Sequence, residues 1–301
     1  IQNGSSVSNV GVVIAATNDN LTLSNIIITQ NSIGLYAECA SSCTVSKNLF
    51  ISNNKSGPAG GAGIYTEKSN GLTIDSNEFT GHLINSAVIF ASVLAGSHTN
   101  TVFSNNSIHN NNGGNSMVYV VGMDGGNFTG NTITQVDSNV LTFSNGNSNI
   151  TVTDNTLTGS NRGVRVVNNG DLTPAVNSSN ISVHNNNLSG NTTAGVGVVS
   201  GYTGTLDAEN NWWGSANGPE HASNTFNVGF QGVVVSDNVD FVTWCTGEGP
   251  TGCGFAPVTT SNPADGKFSS IQAAVDGVTA GGTVSAVAGT YTEQVSINHN
   301  L

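Results

Sequence analysis

Apolar residues bracket an asparagine in the same six-residue phrase, apolar–x–x–Asn–x–apolar, along most of this chain. It reads Val45–Asn48–Phe50, Ile74–Asn77–Phe79, Phe103–Asn106–Ile108, Phe128–Asn131–Ile133, Val152–Asn155–Leu157 and Val183–Asn186–Leu188, then more loosely Ala208–Asn211–Trp213. Successive asparagines stand 29, 29, 25, 24, 31 and 25 residues apart. A period in that range marks stacked units that bury apolar surface only against their neighbours. The earlier stretch Leu23–Ile28 carries Ile26 at the asparagine position, so the series begins one coil late.

After each phrase and a variable polar stretch comes a second strand-like run. Examples are Gly34-Leu35-Tyr36, Gly63-Ile64-Tyr65, Ala87-Val88-Ile89-Phe90, Val118-Tyr119-Val120, Gly163-Val164-Arg165-Val166 and Gly195-Val196-Gly197-Val198. Alternation of period two in Val, Ile, Phe and Tyr, bounded by Asn, Gly and Ser, predicts strands. Helical periodicity is nearly absent. Two or three strands per repeat around one core predict an all-β chain, a right-handed parallel β-helix with one short capping α-helix. Asn48, Asn77, Asn106, Asn131, Asn155, Asn186 and Asn211 are then structural, a hydrogen-bonded ladder up one corner of the coil.

Composition narrows the setting. Only 8% of residues are charged, yet 37% are hydrophobic, enough for a long narrow core under an uncharged polar coat. The net charge is −12, and the six cations, Lys47, Lys55, Lys68, Arg162, Arg165 and Lys267, do not cluster in the sequence. Nucleic acid is therefore excluded as a partner, and an anionic membrane surface is disfavoured. No apolar run reaches the ~20 residues of a spanning helix.

The four cysteines form two close pairs, Cys39 with Cys43 and Cys245 with Cys253, which predict two loop disulfides and an extracellular or cell-surface location. A shared zinc site would need the two pairs to meet across about seven coils of a rigid stack. Ten N-x-S/T sequons, at Asn3, Asn20, Asn54, Asn105, Asn127, Asn149, Asn177, Asn180, Asn187 and Asn191, are candidate glycosylation sites. In a chain so rich in Asn, Ser and Thr, most of these arise by composition alone. The first residue is Ile1, which points to a processed chain or an internal section.

The last third carries the most specific phrases. Leu206 to Pro219, with Asn211-Trp212-Trp213-Gly214 at its centre, precedes Val233–Trp244. This closing segment resembles that of secreted right-handed parallel β-helix repeat proteins of the pectin-lyase-like superfamily, where such segments mark the end of a β-helix. Of the adjacent tryptophans, one should be buried and the other turned outward. Pro250, Pro257 and Pro263 then give residues 245–267 a linker composition. Downstream, Ser269-x-x-Gln272 reads as a capping box before Ile271, Ala274, Val275 and Val278, a helix of two turns. With Gly281–Val284, Ala288–Glu293 and Val295–Ile297, it is similar to the opening of domains in the same superfamily. The chain therefore divides into β-helix coils at 1–244, a linker at 245–267, and at 268–301 the opening of another β-helical unit.

Writing the end ahead of the beginning joins two alternating stretches into one. The predicted partner is an identical subunit or repeat, head to tail, with 268–301 against residues 1–30 of the next copy. The unit would span roughly ten coils, about 50 Å at the strand spacing.

Relatives of this fold cleave acidic polysaccharides, so catalysis is weighed on residues. Asp75, Glu78, Asp124, Asp137, Asp154, Asp171, Asp207 and Glu209 are scattered, without the facing carboxylates a glycosidase requires. The best local grouping is Asp154 with Arg162, Arg165 and His184. His82, His98, His109, His184, His221 and His299 show no metal-ligand spacing. The sequence thus predicts a non-catalytic extracellular structural protein, a filament or surface array, with no cofactor, metal or catalytic residue. The alternative is a carbohydrate-active enzyme or a sugar-binding adhesin, with glycans as partners.

Overall fold

The computed structural model describes residues 10–15, 17, 19–56, 60–134, 138–264 and 266–298. Asn3, Asp137, His299 and the first nine residues lie outside that set. The chain winds into a parallel β-solenoid of about eight turns, with a single short helix among the described residues. Three parallel sheets form its walls, of eight, six and ten strands.

The six-residue phrase makes two strands and the corner between them. Its first apolar position lines the ten-stranded sheet, where Val45, Ile74, Phe103, Phe128, Val152 and Val183 stand in register. Its second lines the six-stranded sheet, where Phe50, Phe79, Ile108, Ile133 and Leu157 are aligned. The third wall comes from the second run, with Leu35, Ile64, Val88, Val118, Leu141, Val164 and Val196 in one column. All three columns point inward and are buried. Phe50 and Phe79 stack with centroids 4.7 Å apart and planes 7° from parallel.

At the corner, each asparagine bonds to the next coil. The N–H and Nδ2 of Asn77 both donate to Asn106 Oδ1, at 2.9 and 3.1 Å, and Asn106 does the same to Asn131 at 2.9 and 3.0 Å. The pattern runs from Asn48 to Asn211, and Ile26 N–H donates to Asn48 Oδ1 at its foot. The residue before each ladder asparagine is left-handed: Lys47 (φ 57°), Ser76 (54°), Asn105 (53°), Gly130 (67°), Asp154 (58°), Asn185 (55°) and Asn210 (58°). Asparagine adopts that region at less cost than lysine. Lys47→Asn should therefore raise the unfolding free energy by about 0.5–1 kcal/mol in a urea titration.

A second ladder stands five residues further on, at the opposite end of each strand of the six-stranded sheet. Asn31 bonds to Asn53, Asn53 to His82 at 3.4 Å, and His82 N–H to Asn111 Oδ1 at 2.7 Å; Ser160 N–H bonds to Asn191 Oδ1 at 3.1 Å. The sequence shows this series only as a constant offset, interrupted by His82, Ser160 and Val136, the last outside the described residues.

Both cysteine pairs are disulfides, with Cα atoms 5.9 Å apart in Cys39–Cys43 and 3.8 Å apart in Cys245–Cys253. At the closing end Trp213 and Trp244 are fully buried while Trp212 is half-buried. Gly218 (φ 75°) lies against the Trp244 ring, where a Cβ would come within 2.7 Å.

The stretch after Trp244 departs from a simple linker. Val258–Thr260 is the central strand of a small antiparallel sheet, flanked by Gly266–Phe268 and Val284–Ala286. Residues 281–298 therefore add no turn to the stack they follow, and about eight turns replace the expected ten, or about 38 Å of axis. The helix Ile271–Gly277 forms, but Ser270 is its N-cap, accepting from Ala273 N–H, and Ser269 donates to the Ser223 carbonyl. Glu293, and not a Gln272 capping box, serves the helix start, accepting from the N–H groups of Ile271 (2.8 Å) and Gln272 (2.7 Å). A carboxylate opposite two free N–H groups at a helix start outcompetes a neutral amide.

Candidate functional site

The two ends of the solenoid differ. At the first coil, Val10–Ile14, Thr22–Ser24 and Ile27–Thr29 are the outermost strands of the three sheets. Beyond them no further strand pairs among the described residues. Val13 is 60% exposed and Ile27 54%, and Val12, Leu21, Leu23 and Ile26 cover the core only partly. A sheet edge beside exposed apolar side chains is a template for strand addition.

The last coil is closed by residues 214–232 and by the C-terminal segment. Phe226 packs on Tyr291 with centroids 5.4 Å apart, and Thr225 Oγ1 donates to Glu293 Oε1 at 2.7 Å. Asn227 pairs with Thr290 through both its N–H and its side chain. Residues 269–293 thus sit on the closing loop of their own chain, leaving 294–298 outermost, with Val295 and Ile297 39% and 59% exposed. Gln272 holds this segment through the Ser296 N–H (2.7 Å) and carbonyl (3.2 Å), and it pairs with no strand among the described residues.

The nominated catalytic grouping does not assemble. His184 Nε2 meets Asp207 Oδ1, Arg162 Nη1 donates to Asn139 Oδ1 at 3.5 Å, and no ion pair joins Asp154 to either arginine. The other acids take local partners. Asp75 accepts from Ser76, Ser104 and Asn105, Asp124 from Ser148 and Asn149, and Glu78 faces His109. Asp171 accepts from Tyr119 and Ser144.

Two arrangements were not legible in the sequence. Asp207 and Asp240 are register partners, with Glu209 nearby. Burial and the Asp240 and Asp207 charges raise the Glu209 pKa, and burial and Asp207 raise that of Asp240. His221 lies in a cleft of about 780 Å³, its Nε2 3.1 Å from Asp237 Oδ1 and its Nδ1 2.8 Å from Ser223 Oγ. That chain of groups has the order of a catalytic triad. However, Ser223 N–H also donates to Nδ1, and the Asp237 side chain is 92% exposed. An imidazole held as a turn acceptor beside a solvated carboxylate lacks the buried anion that orients a general base.

Among the sequons, Asn20, Asn105, Asn127, Asn149, Asn177 and Asn180 are exposed. Asn54 is held at both ends by Gly81 and Leu83. Asn187 and Asn191 are buried, and Asn191 Nδ2 donates to the Leu157 and Leu188 carbonyls. Burial removes those two as glycan acceptors in the folded chain.

Comparison with protein-family models, with curated proteins and with solved structures finds no match. No helix among the described residues is long and apolar enough to cross a membrane.

Proposed function

We propose that this chain is a non-catalytic structural β-solenoid of an extracellular fibre or surface array, whose units join end to end. The observation that carries this reading is the unlike character of the two ends among the described residues: one with exposed apolar side chains on its outermost strands, the other capped and followed by an exposed segment, 294–298, that pairs with no strand. Because residues 269–293 dock on their own closing loop, the joint narrows to the segment from 294 onward. That segment would add as a strand to the edge formed by Val10–Ile14 and its companions in the next unit. The two disulfides and the exposed sequons support an oxidising, extracellular setting.

The test uses the whole chain. Sedimentation velocity across a concentration series, with electron microscopy, should show linear oligomers. Val13→Lys or Ile297→Lys should abolish them without moving the thermal midpoint, since both side chains already face solvent. A chain that stays monomeric at millimolar concentration, or whose oligomers ignore both changes, would remove this reading.

A further inference from the structure

Arg162 and Arg165, the two arginines of the chain, leave the strand Arg162–Val167 toward the outer face of the eight-stranded sheet. Gly163, Val164, Val166 and Val167 of that strand are buried, and both arginines are partly exposed. Their stems start side by side. In the next coil Ala194 and Gly197 hold the same register positions, and a Cβ on Gly197 would lie 3.8 Å from the Ala194 Cβ. The Arg162 side chain crosses Gly197, with Cδ and Nε each 3.0 Å from that point. Gly197 is the register neighbour of Arg165, so the Arg162 head lies beside the Arg165 stem.

No described carboxylate neutralises the pair. Arg162 Nη1 reaches Asn139 Oδ1 only at 3.5 Å, beyond the usual N–H···O range, and Arg165 Nε is buried with no hydrogen-bond partner. Asp171, in the loop that follows the strand, is taken by Tyr119 and Ser144. Burial, and then the Arg162 charge, lower the pKa of Arg165. Two like charges side by side repel, and a buried N–H without an acceptor is costly until a ligand supplies one.

Donor geometry decides what the pair can hold. Each guanidinium is a rigid planar fork that matches two oxygens. A carboxylate has two oxygens and fills one fork. A tetrahedral oxyanion ester keeps three free oxygens, so one of them can be shared while each fork takes another.

We propose that Arg162 and Arg165 form a binding site for a tetrahedral oxyanion, the phosphoryl or sulfuryl group of a larger ligand, on the outer wall of the eight-stranded sheet. The site stands six strands from the edge strand Val10–Ile14, so it acts whether or not units join end to end.

The test is calorimetric titration of the full chain with sulfate and with inorganic phosphate, at an ionic strength held constant with chloride. One ion should bind per chain, and acetate should bind at least about tenfold more weakly. Arg162→Gln and Arg165→Gln should each raise the dissociation constant at least about tenfold. Arg165→Lys keeps the charge without the fork and should weaken binding severalfold. Lys47→Gln, a cation on another corner of the coil, should leave binding unchanged. Glucose 6-phosphate and glucose 6-sulfate separate the two sources, and at least one of them should bind as tightly as its inorganic ion. The proposal is overturned by the absence of binding, by binding that survives both glutamine changes or is complete in Arg165→Lys, or by acetate bound as tightly as sulfate. Inorganic ions that bind when neither ester does mark an adventitious ion only, and overturn it too.

Discussion

Replacing one rung in the middle of the asparagine ladder, Asn106→Ala, should cost about 3 kcal/mol of unfolding free energy. The side chain takes two bonds from Asn77 and gives two, to the Ile74 carbonyl and Asn131 Oδ1, all in a corner that is 1% exposed. Alanine leaves the Asn77 N–H without an acceptor and the Ile74 carbonyl one donor short. A buried group left so costs about 1–3 kcal/mol, and the void adds to it. Water cannot repair the corner unless it opens. The measurement is urea unfolding of Asn106→Ala beside Asn127→Ala, an exposed asparagine two strands away in sequence, expected to change stability by less than about 0.5 kcal/mol. Hydrogen exchange should quicken in the coils holding Asn77, Asn106 and Asn131 and little elsewhere, because a solenoid couples mainly to nearest neighbours. Equal losses for the two variants would mean the ladder adds nothing beyond an ordinary polar surface.

Acid should weaken the fold through two histidines. His82 replaces a rung of the second ladder, and His98 is held by Ser69 Oγ (3.0 Å) and the Ala91 carbonyl (2.8 Å); both are wholly buried. Burial lowers each pKa from 6.5 to about 4. The unfolded chain therefore takes up these protons first as pH falls. Each contribution is complete above pH 6.5, declines below it, and is exhausted near pH 4. A shift of that size corresponds to about 3 kcal/mol per histidine. Glu209 and Asp240 act in the opposite direction, since burial and then neighbouring negative charge raise their pKa values, and protonation relieves both. A variant comparison separates the two effects. His82→Asn, which restores the residue type of the neighbouring rungs, should remove about half of the histidine-linked loss between pH 6.5 and 4 while folding normally at pH 7. Parallel stability–pH curves for wild type and His82→Asn would show that His82 does not titrate in this window.

The ladder was readable because one corner makes the same demand in every coil. Its left-handed residue and its rung recur with the strands on either side, so the repeat in sequence and the repeat in space coincide. The second ladder obeys the same rule five residues later, yet His82 and Ser160 occupy rungs there. A series recognised by residue type breaks at such positions, although the hydrogen-bond geometry continues. In the C-terminal part, three prolines gave residues 245–267 the look of a linker. Val258–Thr260 nevertheless pairs on both sides, because strands supplied by 266–268 and 284–286 satisfy its backbone.

Periodic alternation, the spacing of the asparagines and the close cysteine pairs determined by themselves that the chain is a stacked all-β coil with local disulfides. Each of these rests on neighbours in sequence or on a fixed repeat, and that information is written along one dimension. Tertiary structure alone decided which charges meet. Asp207 stands beside Asp240, 33 residues further on, because strand register sets a side chain of one coil next to a side chain of the following coil. It also decided that Glu293, and not Gln272, holds the helix start, and that His82 is sealed in a corner. Those outcomes depend on what lies one coil away, a distance of about 4.8 Å in space but some 25 to 30 residues along the chain.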